Sequence, residues 1–361
     1  MRRSGLRRIP IIFSASPCLT GTVRSAHRCL VEVIYRDAIG QSRGACFESD
    51  LGRPALPQEV IDCFNAITFF IFRKIDVQTF TTTVSAQWLL QHLGDQNLQI
   101  LDASWHVPDN TPSGRHEAEN EHIPGSLYVD IDEVAAPRSE PPYRMMPSPA
   151  LFAERVGYLG IRPEAQLIVY DNAGLYSAAR VWWMFRSMGH ASIAVLDGGL
   201  PAWKAAGGAV EQGPFKPRAA VAWPSLRCAN TVRGWSDVLE NLTLQAAQLV
   251  DVRSAAMFNG DTSDRYPGVR PGHIPAAINL SQRHLRDEYH LFKSPDEMKR
   301  IFSEHGIDLK QPIIATCGSG VTACILALAI ELMGEGACSV YDGSWEEWGA
   351  RPDLPAVVDS I

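Results

Sequence analysis

Two tandem α/β domains, each a mainly parallel sheet flanked by helices, are what the sequence predicts, on three observations. From residue 81 onward the chain carries one pattern twice. Within each copy, short apolar runs alternate with amphipathic segments. The runs are continuously apolar, as in strands buried on both faces of a parallel sheet.

The repeat is explicit. "ILDASW" at 100–105 answers to "LVDVRS" at 249–254, and "EHIPGSLYVDID" at 121–132 to "GHIPAAINL" at 272–280. "LIVYDNAGLYSAARVWWMFRSMGHASIAVLDGGLPAW" at 167–203 then matches "IIATCGSGVTACILALAIELMGEGACSVYDGSWEEW" at 313–348. In order, each copy reads as a strand ("LQILD", "QLVDV"), a His-Ile-Pro turn, a second strand ("QLIVYD", "PIIATC"), a helix and a further strand ("IAVLDG", "CSVYDG"). A Gly-, Pro- and Ala-rich stretch at 205–225 marks the crossing between copies. The expected organisation is an N-terminal domain at 81–208, a linker at 209–230 and a C-terminal domain at 231–361.

Residues 1–80 do not share this pattern. They hold 11 Lys and Arg against 7 Asp and Glu, and Arg2, Arg3, Arg7, Arg8, Arg24 and Arg28 precede the first acidic residue, Glu32. That is the composition of an organellar transit peptide, although the segment runs longer than targeting requires. It is read as a leader or a disordered extension, with a cytoplasmic location expected unless residues 1–30 act as a transit peptide. The apolar run "FNAITFFIF" at 64–72 is too short to span a membrane.

With a net charge of −7, the chain does not present the clustered positive charge that nucleic acid or an anionic membrane requires, so neither is expected as a partner. No Cys-x-x-Cys or Cys/His metal-ligand spacing occurs among its 8 cysteines, so no metal is expected and free thiols in a reducing compartment are the simpler reading.

One cysteine stands apart. In "IIATCGSGVTACILALAI", 313–330, Cys317 ends an apolar strand and precedes a loop of Gly318, Ser319, Gly320, Val321 and Thr322 that runs into a helix. Ligands of open α/β sheets sit where a strand's carboxyl end turns into a helix. Small residues let such a loop curl and aim successive N–H groups at one point, and the helix adds its positive end. A thiolate is stabilised in such a cradle, so Cys317 is read as a nucleophile. Cys324 and Cys338 are read as packing residues. The first copy has "VYDNAG" where the second has "ATCGSG", placing Asp171 opposite Cys317. Aspartate cannot act as a sulfur nucleophile, so one inactive and one catalytic domain are expected.

These residues resemble the tandem rhodanese family of sulfurtransferases over roughly 81–353, in "CGSGVT", "RVWWMFR" at 180–186, "GHIP" at 272–275 and "DGSWEEW" at 342–348. The loop looks like that of the 3-mercaptopyruvate type; thiosulfate-using rhodaneses carry basic residues at the positions of Gly318 and Ser319. The resemblance implies sulfur transfer from a small-molecule donor through a Cys317 persulfide to a thiol acceptor, such as thioredoxin or a small thiol, or to cyanide, with no cofactor. It also implies that Ser319 and Asp132 assist proton movement. The alternatives are a thiosulfate sulfurtransferase and a non-catalytic sulfur-carrier or regulatory module. A cysteine phosphatase would need Arg six residues after the cysteine, where Ala323 stands, and Ser319 is not in a Gly-x-Ser-x-Gly elbow.

Two departures from the family pattern bear on the substrate. Met257 and Tyr266 occupy positions where the family has arginines that grip a carboxylate, and Arg144 replaces a usual histidine. A planar guanidinium binds a carboxylate through two bonds, which methionine cannot do. Arg144, Arg265 and Arg270 are therefore the expected substitute anion site, beside the loop residues Gly318, Gly320, Val321 and Thr322.

Overall fold

The computed structural model describes residues 81–106, 113–225, 231–260 and 268–358. Residues 1–80, read above as a leader or extension, lie outside them, as do Arg265 and Tyr266.

The first copy contains β1 (Thr83–Val84), α1 (Ala86–His92), β2 (Leu98–Asp102), α2 (Gly114–Asn120), β3 (Leu127–Tyr128), α3 (Ile131–Val134), α4 (Pro149–Tyr158), β4 (Gln166–Tyr170), α5 (Ala178–Ser187), β5 (Ile193–Leu196) and α6 (Gly199–Ala205). The second contains β6 (Val232–Arg233), α7 (Trp235–Leu244), β7 (Gln248–Asp251), α8 (Ala255–Phe258), β8 (Ile278–Asn279), a 3-10 turn (Gln282–Leu285), α9 (Pro295–Glu304), β9 (Ile313–Thr316), α10 (Ala323–Met333), β10 (Cys338–Tyr341) and α11 (Ser344–Ala350).

Each copy builds one five-stranded sheet, ordered β1-β5-β4-β2-β3 in the first and β6-β10-β9-β7-β8 in the second, and the paired strands are parallel. The middle strands β4 and β9 are buried from Leu167 to Tyr170 and from Ile313 to Thr316, as their continuous apolar runs require. The next residue after each is Asp171 or Cys317.

Both sheets belong to one compact unit. Helices α5 and α10 explain why. Nearly every residue of α5 is buried, including Trp182, Trp183 and Phe185, and α10 buries every residue from Ala323 to Ile330. A helix apolar on all sides has to be covered on all sides. One apolar core runs from Leu101, Val169 and Trp183 of the first copy to Ile325, Leu328 and Val340 of the second. Each copy keeps a smaller core on its outer face, around Trp203 and Trp348 respectively.

The crossing segment packs on the first copy. Val221 donates its N–H to the Gly157 carbonyl at 2.9 Å, and the Trp223 ring meets Phe152 and Phe185 edge-on.

The copies also exchange arms. Tyr143–Met146 of the first lies against the Cys317 loop region, and Tyr289–Phe292 of the second lies against the Asp171 loop. Met146 N–H donates to Asp342 Oδ2 at 2.6 Å, and Phe292 N–H donates to Asp197 Oδ1 at 3.1 Å. Asp342 and Asp197 are equivalent residues of the repeat, each following the last strand of its sheet. Arg144 and His290 hold matching left-handed conformations in the two arms, at φ 58° and 66°. Both arms lead into helices started by a serine and a proline, Ser148-Pro149 and Ser294-Pro295.

Candidate active site

Cys317 sits at the carboxyl end of β9 and is 1% exposed. Its carbonyl accepts the N–H of Trp345 at 3.1 Å, and the Gly318 carbonyl accepts that of Glu346 at 2.7 Å, so the start of α11 holds the loop from outside. Gly320 has φ +75°, and a Cβ there would come within 2.2 Å of the Asp342 carbonyl oxygen. The loop therefore needs glycine at this position twice over, for conformation and for space. Among the described residues, the N–H groups of residues 318–322 have no protein acceptor.

The first copy shows what such a loop holds. Asp171 is 1% exposed and accepts N–H donors from Ala173 at 3.1 Å on Oδ1, and from Tyr176 at 2.6 Å and Ala178 at 2.9 Å on Oδ2. Burial pushes this carboxyl above the usual range, while the three N–H groups and Arg286 pull the other way. The equivalent donors around Cys317 belong to Ser319, Thr322 and Cys324. The Asp171 loop is closed around its own carboxyl, whereas the Cys317 loop has a short side chain in that place.

Ser344 covers Cys317 from α11. Its hydroxyl accepts the Cys317 N–H at 3.1 Å, lies 3.9 Å from Sγ and donates to the Tyr341 carbonyl at 2.8 Å. The residue is fully buried and held at φ 50°, where the first copy has Gly199 at φ 55°. Sequence reading did not single out Ser344, although a serine opposite the first copy's glycine was visible within "DGSW".

Arg180, on α5 of the first copy, is 1% exposed and reaches across to the second. It pairs with Asp342 Oδ1 at 2.7 Å and donates to the Gly320 carbonyl at 3.3 Å and the Arg144 carbonyl at 2.5 Å.

Of the expected anion site, Arg144 stands beside this loop. Its guanidinium lies 5.0 Å from the Trp105 ring, donates to Asp132 Oδ1 at 3.3 Å and pairs with Glu346 Oε2 at 3.6 Å. Asp132 also accepts the Trp105 indole N–H at 2.6 Å, so both its oxygens are engaged. Arg270 does not join the group. It donates to the carbonyls of Gly349 at 3.1 Å, Trp348 at 3.3 Å, Arg351 at 2.7 Å and Leu354 at 3.0 Å. These are carbonyls at and beyond the end of α11, so Arg270 caps that helix. Met257 lies in α8, where its carbonyl accepts from Arg253 at 3.4 Å.

Cys324 is fully buried and its thiol points at the Gly320 carbonyl at 3.4 Å; burial pushes its pKa well up, as it pushes the Cys338 thiol up to about 12. Neither is activated. Among the described residues no group of three or more His, Cys, Asp and Glu is placed to hold a metal ion, and no helix is long and apolar enough to cross a membrane.

Comparison with known proteins agrees with this geometry. The model of the rhodanese-like domain matches twice, at residues 85–206 and 235–351. The 3-mercaptopyruvate sulfurtransferase of Homo sapiens is 41% identical over 278 residues, covering 75% of this chain and 93% of its own length. The thiosulfate sulfurtransferase of Cricetulus griseus is 40% identical over 277 residues, covering 74% and 92%. Among solved structures, SseA of Escherichia coli, described as showing the rhodanese fold and catalytic mechanism of 3-mercaptopyruvate sulfotransferases, superposes with a TM-score of 0.67 at 34% identity, over 73% of this chain and 99% of its own. The repeat, the paired sheets and these matches together show that the chain belongs to the tandem-domain sulfurtransferases of the rhodanese family.

Proposed function

We propose that the protein transfers sulfur from 3-mercaptopyruvate through Cys317 to a thiol acceptor and releases pyruvate. The observation that carries this reading is the loop after β9, which places the Cys317 sulfur where the equivalent loop of the first copy holds a buried carboxyl by three N–H groups. The Cys317 thiolate attacks the donor's sulfur. A sulfur–sulfur bond forms, the donor's carbon–sulfur bond breaks, and its electron pair passes into the enolate of pyruvate. The proton that began on the donor's thiol ends on the pyruvate methyl carbon, with Ser319 and Asp132 as its proposed carriers. The outer sulfur of the persulfide is held as an anion by the N–H groups of residues 318–322, the same type of preorganised donor set that stabilises an oxyanion. An acceptor thiolate, from thioredoxin or a small thiol, then takes that sulfur and restores Cys317. The steps require no metal or organic cofactor. Arg144, with Arg265, is the proposed grip on the donor's carboxylate. The proposed location is the cytoplasm, or the mitochondrion if residues 1–30 are cleaved as a transit peptide.

A second reading has thiosulfate as donor, as the name of the Cricetulus griseus relative suggests. Gly318 and Ser319 bring no charge to a dianion, which disfavours it. The deciding experiment measures pyruvate release from 3-mercaptopyruvate with a thiol acceptor, beside thiosulfate with cyanide, for wild type and Cys317→Ser. Fast release that depends on Cys317 is expected. Activity with thiosulfate alone overturns the choice of donor, and activity with neither points to a carrier module.

A further inference from the structure

The Arg144 guanidinium stands beside the Cys317 loop, and two carboxylates already hold it. Asp132 binds it from the first copy at 3.3 Å, and Glu346 faces it from α11 of the second at 3.6 Å. Glu346 differs from Asp132 in its surroundings. Its side chain is 7% exposed, against 40% for Asp132. Its Oε2 is buried and accepts no hydrogen bond, and the Arg144 Nε is equally buried and donates none. At 3.6 Å the pair is an electrostatic contact beyond ordinary hydrogen-bond distance, so neither group is satisfied by the other. Two carboxylates, Asp132 and Glu346, thus share the Arg144 guanidinium, which a carboxylate-bearing donor has to take from them.

We propose that Glu346 is a specificity-determining residue: its buried carboxylate competes with the donor's carboxylate for Arg144 and so sets how tightly the enzyme holds anionic donors. The inference rests on the sulfurtransferase reading for the identity of the donor, but the competition itself is a property of the site. A guanidinium stays charged throughout, so the competition is between carboxylates for one permanent cation. Burial raises the Glu346 carboxyl above its ordinary range; Arg144, the Tyr143 backbone N–H and Arg138 oppose this, and Asp132 adds to the rise. Acid therefore neutralises Glu346 while a 2-oxo acid remains ionised, and the competition relaxes.

The test reads the dissociation constant of pyruvate by calorimetry, on Cys317→Ser protein with and without Glu346→Gln. Glutamine keeps the shape and removes the charge. We expect Glu346→Gln to tighten pyruvate about tenfold at neutral pH, the scale of one close charge in a partly buried site, and to leave the affinity for uncharged pyruvamide unchanged. In the Cys317→Ser protein, pyruvate should tighten as pH falls from neutral, and Glu346→Gln should remove most of that dependence. Equal pyruvate affinity in the two proteins overturns the proposal, as does a matching gain for pyruvamide or no pyruvate binding to either. Should Glu346→Gln fail to fold, the pH series on Cys317→Ser decides alone, and a flat series overturns the proposal. Turnover of 3-mercaptopyruvate by the wild type is followed in parallel. Its absence defeats the sulfurtransferase reading while the pyruvate result stands, and normal turnover with unchanged pyruvate affinity defeats this inference only.

Discussion

Arg180 of the first copy lies 2.7 Å from Asp342 of the second, and both side chains are almost fully buried. The same guanidinium supports the Gly320 carbonyl of the Cys317 loop and the Arg144 carbonyl of the arm above it. The first copy thus contributes a charged strut to the Cys317 loop of the second. Arg180→Ala would leave Asp342 as an uncompensated buried charge, and loss of one partner of such a pair costs about 3–5 kcal/mol. The expected outcome is a lower urea midpoint together with weakened sulfur transfer. Arg180→Lys should recover little, because a single ammonium cannot reach three acceptors in different directions.

Gly320→Ala separates loop shape from loop chemistry. The added Cβ would stand 2.2 Å from the Asp342 carbonyl at a φ of +75°, so the loop has to move although every functional side chain remains. Sulfur transfer should fall by at least about a hundredfold, the scale of misaligning a preorganised donor set. Far-UV circular dichroism should be unchanged. Near-normal activity would show that the loop's N–H groups do not hold the transferred sulfur.

Ser344 offers a test with opposite signs for stability and rate. Its φ of 50° is unfavourable for any residue with a Cβ, and its hydroxyl accepts the Cys317 N–H. Ser344→Gly relieves the first and removes the second. We expect a stability within about 1 kcal/mol of wild type, since relief of backbone strain offsets the lost bonds, and a clearly reduced rate of pyruvate release because Cys317 is no longer fixed from α11. Ser344→Ala keeps the strain and loses the bonds, so it should be the less stable of the two in thermal melts.

The sequence made the sheets and the reactive loop legible because both are local. Continuous apolar runs mark β4 and β9 without knowledge of what covers them, and Cys317 and Gly320 sit in one short segment. The arm exchange was written in the sequence as well: "YRMMPSP" at 143–149 matches "YHLFKSP" at 289–295 in Tyr, Ser and Pro. Its meaning is tertiary, because each arm serves the other copy and no pattern within one copy shows that. Arg270 illustrates the same point. Proximity in sequence to "GHIP" suggested an anion site, but the end of α11 approaches it only in the fold and takes its donors. Glu346 went unread because a glutamate in an amphipathic helix is ordinarily a solvated residue, and its burial beside Arg144 arises only in the fold.

The arm on the first copy has a pH signature. Asp197 is partly buried and accepts the Phe292 N–H, and burial raises its carboxyl from 3.8 to about 6, with Asp287 adding to the rise and Arg286 opposing it. In the unfolded chain the group titrates at its ordinary value, so between about pH 4 and pH 6 the folded state binds the proton and the unfolded state does not. A raised carboxyl pKa contributes stability that is complete below the unfolded value and lost as pH rises through the folded one. Asp197 therefore makes the protein less stable at pH 7 than at pH 4, by an amount on the order of 1 kcal/mol once partial solvent screening is allowed for. Asp197→Asn keeps an oxygen to accept from Phe292 and removes the titration. Urea unfolding of wild type and Asp197→Asn across that range should show the difference in stability between them shifting in favour of the variant as pH rises. A constant difference would mean that Asp197 titrates alike in both states and that the Tyr289–Phe292 arm does not desolvate it.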